Sequence, residues 1–196
     1  MLKDLVKKAR SYRRYDNSFE VSDEILLDLI DTARLTPSAA NRQPIKYLVS
    51  NKKIHNDKIF PCLGWAGYLQ EWTGPTTKEQ PTAYIILFTD TQFSPHLSFD
   101  PGIVAQTIML AAAEKGIGAC MIASVDKNKL KKIVNLSIEY EILLVIALGK
   151  PNETIIIEDV GEDGSIKYWR DENSNHFVPK RKLQDVFFKV EDNFKT

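Results

Sequence analysis

The segment Thr36–Ser50, TPSAANRQPIKYLVS, carries a dense set of side chains able to read the edge of a flat polar ligand. Asn41 and Gln43 each present both a donor and an acceptor, and Arg42 presents five donors and a positive charge. Ser38, Ala39 and Ala40 are small, so a ring could come close to the backbone. Pro37 pushes Thr36 out of the helical region, and Pro44 does the same to Gln43 while lacking a backbone donor. The loop is therefore stiff. It suits a heteroaromatic ring whose edge alternates N–H and C=O groups. The ordinary alternative is a helix-to-strand connection built from common turn residues.

Two further clusters have chemical potential. Arg10-Ser11-Tyr12-Arg13-Arg14-Tyr15 places three arginines within five residues beside a hydroxyl. Arginine favours planar, bidentate recognition of phosphate or carboxylate; the alternative is a solvated basic patch. Near the other end, Lys180-Arg181-Lys182 precedes Leu183, Val186, Phe187 and Val190, whose spacing predicts a helix with one apolar face. Cations at a helix N-terminus oppose its dipole, costing roughly a few tenths of a kcal/mol each. A bound anion would reverse that sign. The two basic clusters could therefore converge on one phosphate.

The rest of the chain must position these groups. Its 196 residues are 43% hydrophobic, with 26 Lys+Arg against 26 Asp+Glu. That length is expected to form one domain with a core of its own. The balanced charge gives no argument for nucleic acid. No apolar run approaches the length of a membrane span, and the N-terminus has no uninterrupted apolar stretch of a secretory signal. Cys62 and Cys120 read as free core thiols in a reducing cytoplasm. His55, His96 and His176 are scattered, which leaves a metal site without support.

Residues 1–9 read as a helix with Leu2, Leu5, Val6 and Ala9 on one face. Ser22, followed by Asp23 and Glu24, opens a second helix. Ile45–Ser50 reads as a strand and 51–60 as a short helix. Residues 61–81, rich in Gly and Pro with Trp65, Tyr68 and Trp72 interleaved, read as a long loop whose aromatics either pack it down or cover a ligand. Thr82–Asp90 reads as a buried strand and 91–99 as a loop. Asp100-Pro101 reads as a capping acid before a long, largely buried helix ended by Gly116. Gly116-Ile117-Gly118 is not a dinucleotide fingerprint: Met121 stands where the third glycine should be, and a helix precedes it. It reads instead as the start of a strand whose glycines allow close approach. Ser124 or Asp126 caps the next helix. Ile142–Leu148 is a buried strand, and 154–169 reads as a hairpin around Glu162-Asp163-Gly164.

Taken in order, these motifs resemble the FMN-dependent nitroreductase family over nearly the whole chain. Arg10-Ser11-x-Arg13-x-Tyr15 is similar to the family's R-S-x-R/K-x-F/Y motif. Pro37-Ser38-Ala39-Ala40-Asn41-Arg42-Gln43-Pro44 is similar to its P-S-x-x-N-x-Q-P loop. Gly116-Ile117-Gly118, Ala147-Leu148-Gly149-Lys150-Pro151 and Pro179-Lys180-Arg181 also agree. The resemblance implies an α+β fold: a mostly antiparallel central sheet flanked by helices, in an intertwined homodimer. It implies one domain over 1–196, with a segment from about residue 170 reaching onto the partner subunit.

FMN would lie at the dimer interface. Arg10, Ser11 and Arg13 would hold its phosphate and ribityl chain with Lys180 and Arg181. Pro37, Ser38, Ala39, Asn41 and Gln43 would come from the 37–44 loop, and Ile122, Ala123 and Ser124 would lie beside the ring. The implied activity is a cytoplasmic, ping-pong oxidoreduction in which NADH or NADPH reduces FMN, and FMN reduces a nitroaromatic, quinone or similar acceptor. The chemistry belongs to the flavin, so no side chain is assigned a catalytic role. The alternatives are an FMN-binding redox sensor without turnover, and reductive dehalogenation on the same scaffold.

Overall fold

Alternation along the central strands, interrupted by one register shift between Leu87 and Phe88, sorts their side chains onto two faces, and the helices follow. A computed structural model describes residues 1–93 and 99–190. In strand β3 (Ala83–Asp90), Ile85 and Leu87 pack into one buried cluster while Tyr84 and Ile86 pack into another. Strand β5 (Tyr140–Pro151) repeats the pattern, with Ile146 and Leu148 on the first side and Val145 and Ala147 on the second. A period of two does this in any strand buried on both faces. Helices α2 (Asp23–Arg34) and α4 (Asp100–Glu114) cover the first face through Leu26, Leu29, Val104 and Ile108. The second is covered from α3 (Lys53–Ile59) and α5 (Lys127–Ile133) by Ile59 and Leu130.

The sheet is antiparallel throughout. Strand β2 (Ile45–Ser50) pairs with β3, and β3 with β5. The far side of β5 is shared by β4 (Gly118–Ile122) and the two-residue β1 (Tyr15–Asp16). This is the α+β architecture expected from the sequence, with β2 at one edge and β4 at the other. Helix α1 (Leu2–Lys8) precedes β1. Leu2 and Val6 of its expected apolar face are exposed, and burial begins at Ala9.

Several expectations are corrected. Residues 154–169 do not form a hairpin. The turn at Gly161–Gly164 closes, but β6 (Ile155–Asp159) pairs in parallel with β8 (His176–Lys180), and β7 (Trp169–Arg170) pairs antiparallel with β8. Pattern and turn residues identify strand formers; they do not name the partner, and the stacked Trp169 and Phe177 rings, 4.2 Å apart, hold β7 to β8. The expected C-terminal helix is one 3-10 turn, Leu183–Asp185, and Leu183, Val186, Phe187 and Val190 are all exposed. So short a helix needs a surface to bury its stripe, and these residues find none among the described residues. Asp100 is the first helical residue of α4, not its cap. Asp126, whose carboxylate accepts from the Lys129 N–H at 3.0 Å, caps α5. Ser22 caps α2 as expected, and Gly116 leaves α4 with φ +73°. Residues 94–98 of the expected 91–99 loop lie outside the described residues.

Candidate functional site

The 37–44 loop is held in a costly conformation. Ala40, Asn41 and Gln43 have φ of 51°, 52° and 49°, a left-handed region that costs an L residue roughly 1–2 kcal/mol. Asn tolerates it; Ala and Gln need a restraint. The restraint is Asp100. Its buried carboxylate accepts from Ser38 Oγ at 2.6 Å and from the Ala39 N–H at 3.3 Å. Ser38 Oγ in turn accepts from the Gln43 N–H at 2.9 Å. Gln43 Nε2 donates to the Asn41 backbone oxygen and to Asn41 Oδ1, at 3.3 and 3.1 Å. Asn41 and Gln43 themselves stay exposed. Pro37, Ser38 and Gln43 line a cavity of about 160 Å³ that reaches Asp100 and Val104.

A second cleft lies at the opposite sheet edge. Ile122 ends β4 buried, and Ala123 and Ser124 emerge from it exposed. The Gly64 N–H donates to the Ser124 backbone oxygen at 2.7 Å. A Cβ on Gly64 would lie 2.4 Å from Ser124 Oγ, so the close approach of these two walls requires glycine. Arg13, Gly64, Trp65, Ile122, Ser124 and Tyr168 surround about 170 Å³. Burial pushes the thiol of Cys120, on the same cleft, up to about 11, leaving it inert as a nucleophile.

The Arg10–Tyr15 motif is seated over two facing glycines. Gly118 and Gly149 are register partners. A Cβ at Gly118 would sit 3.0 Å from the Tyr12 ring, and one at Gly149 would sit 2.9 Å from Tyr15 Cδ1. Of the GxG segment, Gly118 alone provides the expected close approach, and what approaches is the arginine motif; nothing among the described residues comes within 4 Å of a Cβ built on Gly116, which serves the turn out of α4 instead. Ser11 bridges Ala119, and Arg10 turns its Nε back to its neighbour's carbonyl at 3.0 Å.

Glu153, which no sequence motif pointed to, organises the arginines. Its carboxylate accepts from the backbone N–H groups of Arg13 and Arg14 and from Arg170 Nη2 at 3.0 Å. Arg13 Nη1 donates to the Ser11 carbonyl at 3.1 Å and to His176 Nε2 at 3.3 Å, with its guanidinium 4.8 Å from the Tyr168 ring centre. His176 is buried, and its Nδ1 has no partner among the described residues. Burial first, then the charges of Arg13, Arg170 and Arg14, push its imidazole down to about 4.

The unfolded chain, with an ordinary imidazole, takes the proton first. The stability His176 secures is therefore full above pH ~6.5 and is lost as pH falls toward ~4, by up to about 3 kcal/mol. Urea unfolding at about pH 7 and about pH 5 measures this. His176→Gln should flatten the fall, and an unchanged slope in that variant would refute the assignment.

The thirteen residues singled out from the sequence thus fall into three groups. Arg13, Ile122, Ala123 and Ser124 share one cleft, with Ser11 and Arg10 on the adjoining segment. Pro37, Ser38, Ala39, Asn41 and Gln43 share the loop at the other edge, three strand spacings or about 14 Å across the sheet and further off along the strands. Lys180 and Arg181 lie at the far end of β8, roughly 13 Å along the strand from His176. Both cavities are smaller than the ~300 Å³ at which small-molecule pockets usually begin.

The Nitroreductase family model matches residues 6–66 and 64–150. The chain belongs to the Nitroreductase family. Membership carries its class of chemistry, flavin oxidoreduction. An iodotyrosine deiodinase of Thermotoga neapolitana is 26% identical over 171 residues, covering 78% of this chain and 90% of that protein. The putative NAD(P)H nitroreductase YodC of Bacillus subtilis is 23% identical over 180 residues, covering 75% and 88%. Among solved structures, an FMN-dependent nitroreductase from Clostridium difficile R20291 superposes with a TM-score of 0.63 at 23% identity, over 76% of this chain and 87% of that one.

The donor set of this nitroreductase-family protein suits a flavin. The exposed amides of Asn41 and Gln43 match a ring edge, and the guanidinium of Arg13 opens on a cleft kept free of a Cβ at Gly64. Arg10, Ser11 and Arg13 have the charge and the hydroxyl that a phosphate would need. Sequence reasoning found these groups and missed Asp100 as a loop clamp, Glu153, and the cleft-lining Tyr168. Asp100 had a signal that was misread as capping; Glu153 and Tyr168 had none.

Proposed function

We propose that this protein is an FMN-dependent oxidoreductase that takes hydride from NADH or NADPH and reduces a small acceptor such as a nitroaromatic or a quinone, in alternating half-reactions. The observation that carries this reading is the coincidence of the family match with both clefts. All residues lining them except Tyr168 fall within residues 6–150. FMN, when bound, supplies the ring that accepts and returns hydride. The chain's residues bind and orient it. Arg10 and Ser11 hold the phosphate and ribityl chain, with Lys180 and Arg181 supplied by a second copy, and Arg13 brings positive charge into the ring cleft. Positive charge there favours an anionic reduced ring. Asn41 and Gln43 read the ring edge, beside Pro37, Ser38 and Ala39, and Ile122, Ala123 and Ser124 flank the ring.

One chain separates the 37–44 loop from the Ser124 cleft, and neither cavity reaches pocket size alone. This supports a homodimer in which the loop of one copy completes the cleft of another. The exposed apolar Leu183, Val186, Phe187, Phe188 and Val190, and the open edge of β2, fit such an exchange. Strands β7 and β8 stay with their own sheet, and the chain beyond Lys182 makes the reach. A second reading, reductive dehalogenation, is favoured by the deiodinase relative.

Purified protein should be yellow, and NADH or NADPH should bleach it anaerobically. Reoxidation with a nitroaromatic, a quinone and an iodinated tyrosine, the last assayed for iodide release, separates the two readings. A colourless protein that ignores added FMN would end both. Arg10→Ala should bind FMN less tightly with its dimer intact; unchanged affinity would remove Arg10 from the phosphate site.

A further inference from the structure

The 61–81 segment has almost no regular structure of its own, yet its Gly64–Gly67 stretch walls the Ser124 cleft. The Leu63 and Gly64 end is tied to Val125 and Ser124, and two further ties hold the Tyr68–Trp72 stretch to the residues just before and in β7. The Tyr68 N–H donates to Tyr168 Oη at 3.3 Å, with the two rings 4.9 Å apart. The Trp72 ring receives two guanidinium groups, Arg170 at 4.3 Å and Arg14 at 5.9 Å from its centre. Glu153 lies where these ties meet. Its side chain is 1% exposed, and it accepts from Arg170 and from the backbone of Arg13 and Arg14.

We propose that Glu153 is a positioning residue and Trp72 a latch: together they fix the Gly64–Trp72 wall of the cleft to the arginine motif, so that the wall and Arg13 hold one geometry.

The physics is charge balance in a buried place. Arg13, Arg14 and Arg170 repel one another, and Glu153, with Glu79 at 3.5 Å from Arg14, supplies the compensating charge. Arg170, 10% exposed, cannot stay buried beside two other guanidinium groups once Glu153 is neutral. It swings toward water, Trp72 loses its nearer cation, and the wall comes free. The Arg13 and Arg14 N–H groups, which donate to one Glu153 oxygen, are left with a neutral amide oxygen, a weaker acceptor than the carboxylate. Glu153 would thus govern ligand binding without touching a ligand.

The effect on FMN rests on the flavin reading above; the effect on the wall does not. Glu153→Gln and Trp72→Leu in the full chain test both. In flavin-free protein, thermolysin should cut within residues 61–81 on the order of tenfold faster in each variant than in wild type. FMN titration should show affinity reduced on the order of tenfold in Glu153→Gln, and the midpoint potential of the bound flavin should shift. Glu153→Asp should recover part of each. A Glu153→Gln protein that melts earlier, with cleavage, affinity and potential all unchanged, would make Glu153 a structural charge and overturn the proposal. Should Glu153→Gln fail to fold, Trp72→Leu decides: wild-type cleavage in that variant overturns the latch. Wild-type protein that binds no FMN would remove the flavin reading, and the cleavage comparison would still decide the latch.

Discussion

Asp100→Ala should weaken FMN binding on the order of 100-fold while the rest of the fold stays intact. The carboxylate accepts from Ser38 Oγ and from the Ala39 N–H, and hydrogen bonds to a charged group are worth about 1.5–3 kcal/mol each. Part of that is offset, because alanine removes a buried charge from a nearly closed site. A net loss of about 2–3 kcal/mol is enough to release the loop, since Ala40, Asn41 and Gln43 all relax when they leave the left-handed region. The amides of Asn41 and Gln43, proposed above to read the ring edge, then sample many positions, and binding must supply the ordering that Asp100 supplied beforehand. Ser38→Ala should act in the same direction and more weakly, because the Ala39 bond survives. Fluorescence titration with FMN measures both. An Asp100→Ala affinity within threefold of wild type would show that the loop orders without its clamp, or contributes nothing to the ring.

Gly149→Val should cost about 3 kcal/mol of stability and reduce FMN binding with it. The new side chain would begin 2.9 Å from Tyr15 Cδ1. Tyr15 cannot give way. Its ring is fully buried, its hydroxyl donates to the Tyr12 carbonyl at 2.6 Å, and its backbone pairs with Pro151. Overpacking at such a position displaces backbone, and the backbone displaced here is the Arg10–Tyr15 motif. Gly102→Ala is the matched control. Among the described residues no atom beyond its chain neighbours and its own helix backbone lies within 4 Å of its built Cβ, and an exposed helical glycine replaced by alanine should gain roughly 0.5–1 kcal/mol. Urea unfolding of the two variants should therefore move in opposite directions. A Gly149→Val midpoint equal to wild type would mean that Tyr15 has room the distances deny.

The uneven legibility of this chain has a physical pattern. Strand β2 was read to its ends at Ile45 and Ser50, and α2 to its Ser22 cap, because both are written in local signals: apolar spacing, a capping hydroxyl, prolines at the boundary. The order Arg10-Ser11-x-Arg13, Pro37–Pro44, Gly116–Gly118 was legible for the same reason, since each motif is contiguous. Asp100 was legible as an acid before a proline and misread in role, because capping its own helix and bracing a loop 60 residues earlier look alike in one dimension. The 154–169 segment shows the limit most clearly. Its strand formers were found, yet β6 and β7 both chose β8, and nothing local in Ile155–Asp159 announces a parallel partner 20 residues on.

By itself, then, the amino-acid order determined most of the strands and helices up to about residue 151, which family pattern they follow, and which side chains have the chemistry to hold a phosphate and read a ring; the elements after it, β8 and the C-terminal turn among them, it did not. Those properties are local, and local energies are carried by neighbouring residues. The tertiary structure alone decided that Glu153 gathers Arg13, Arg14 and Arg170, that Gly118 and Gly149 face each other beneath Tyr12 and Tyr15, and that the two halves of the candidate site stand at opposite sheet edges. Those are meetings between distant parts of the chain. They depend on which strand takes which edge, a choice made by burial over the whole core and not by any one segment.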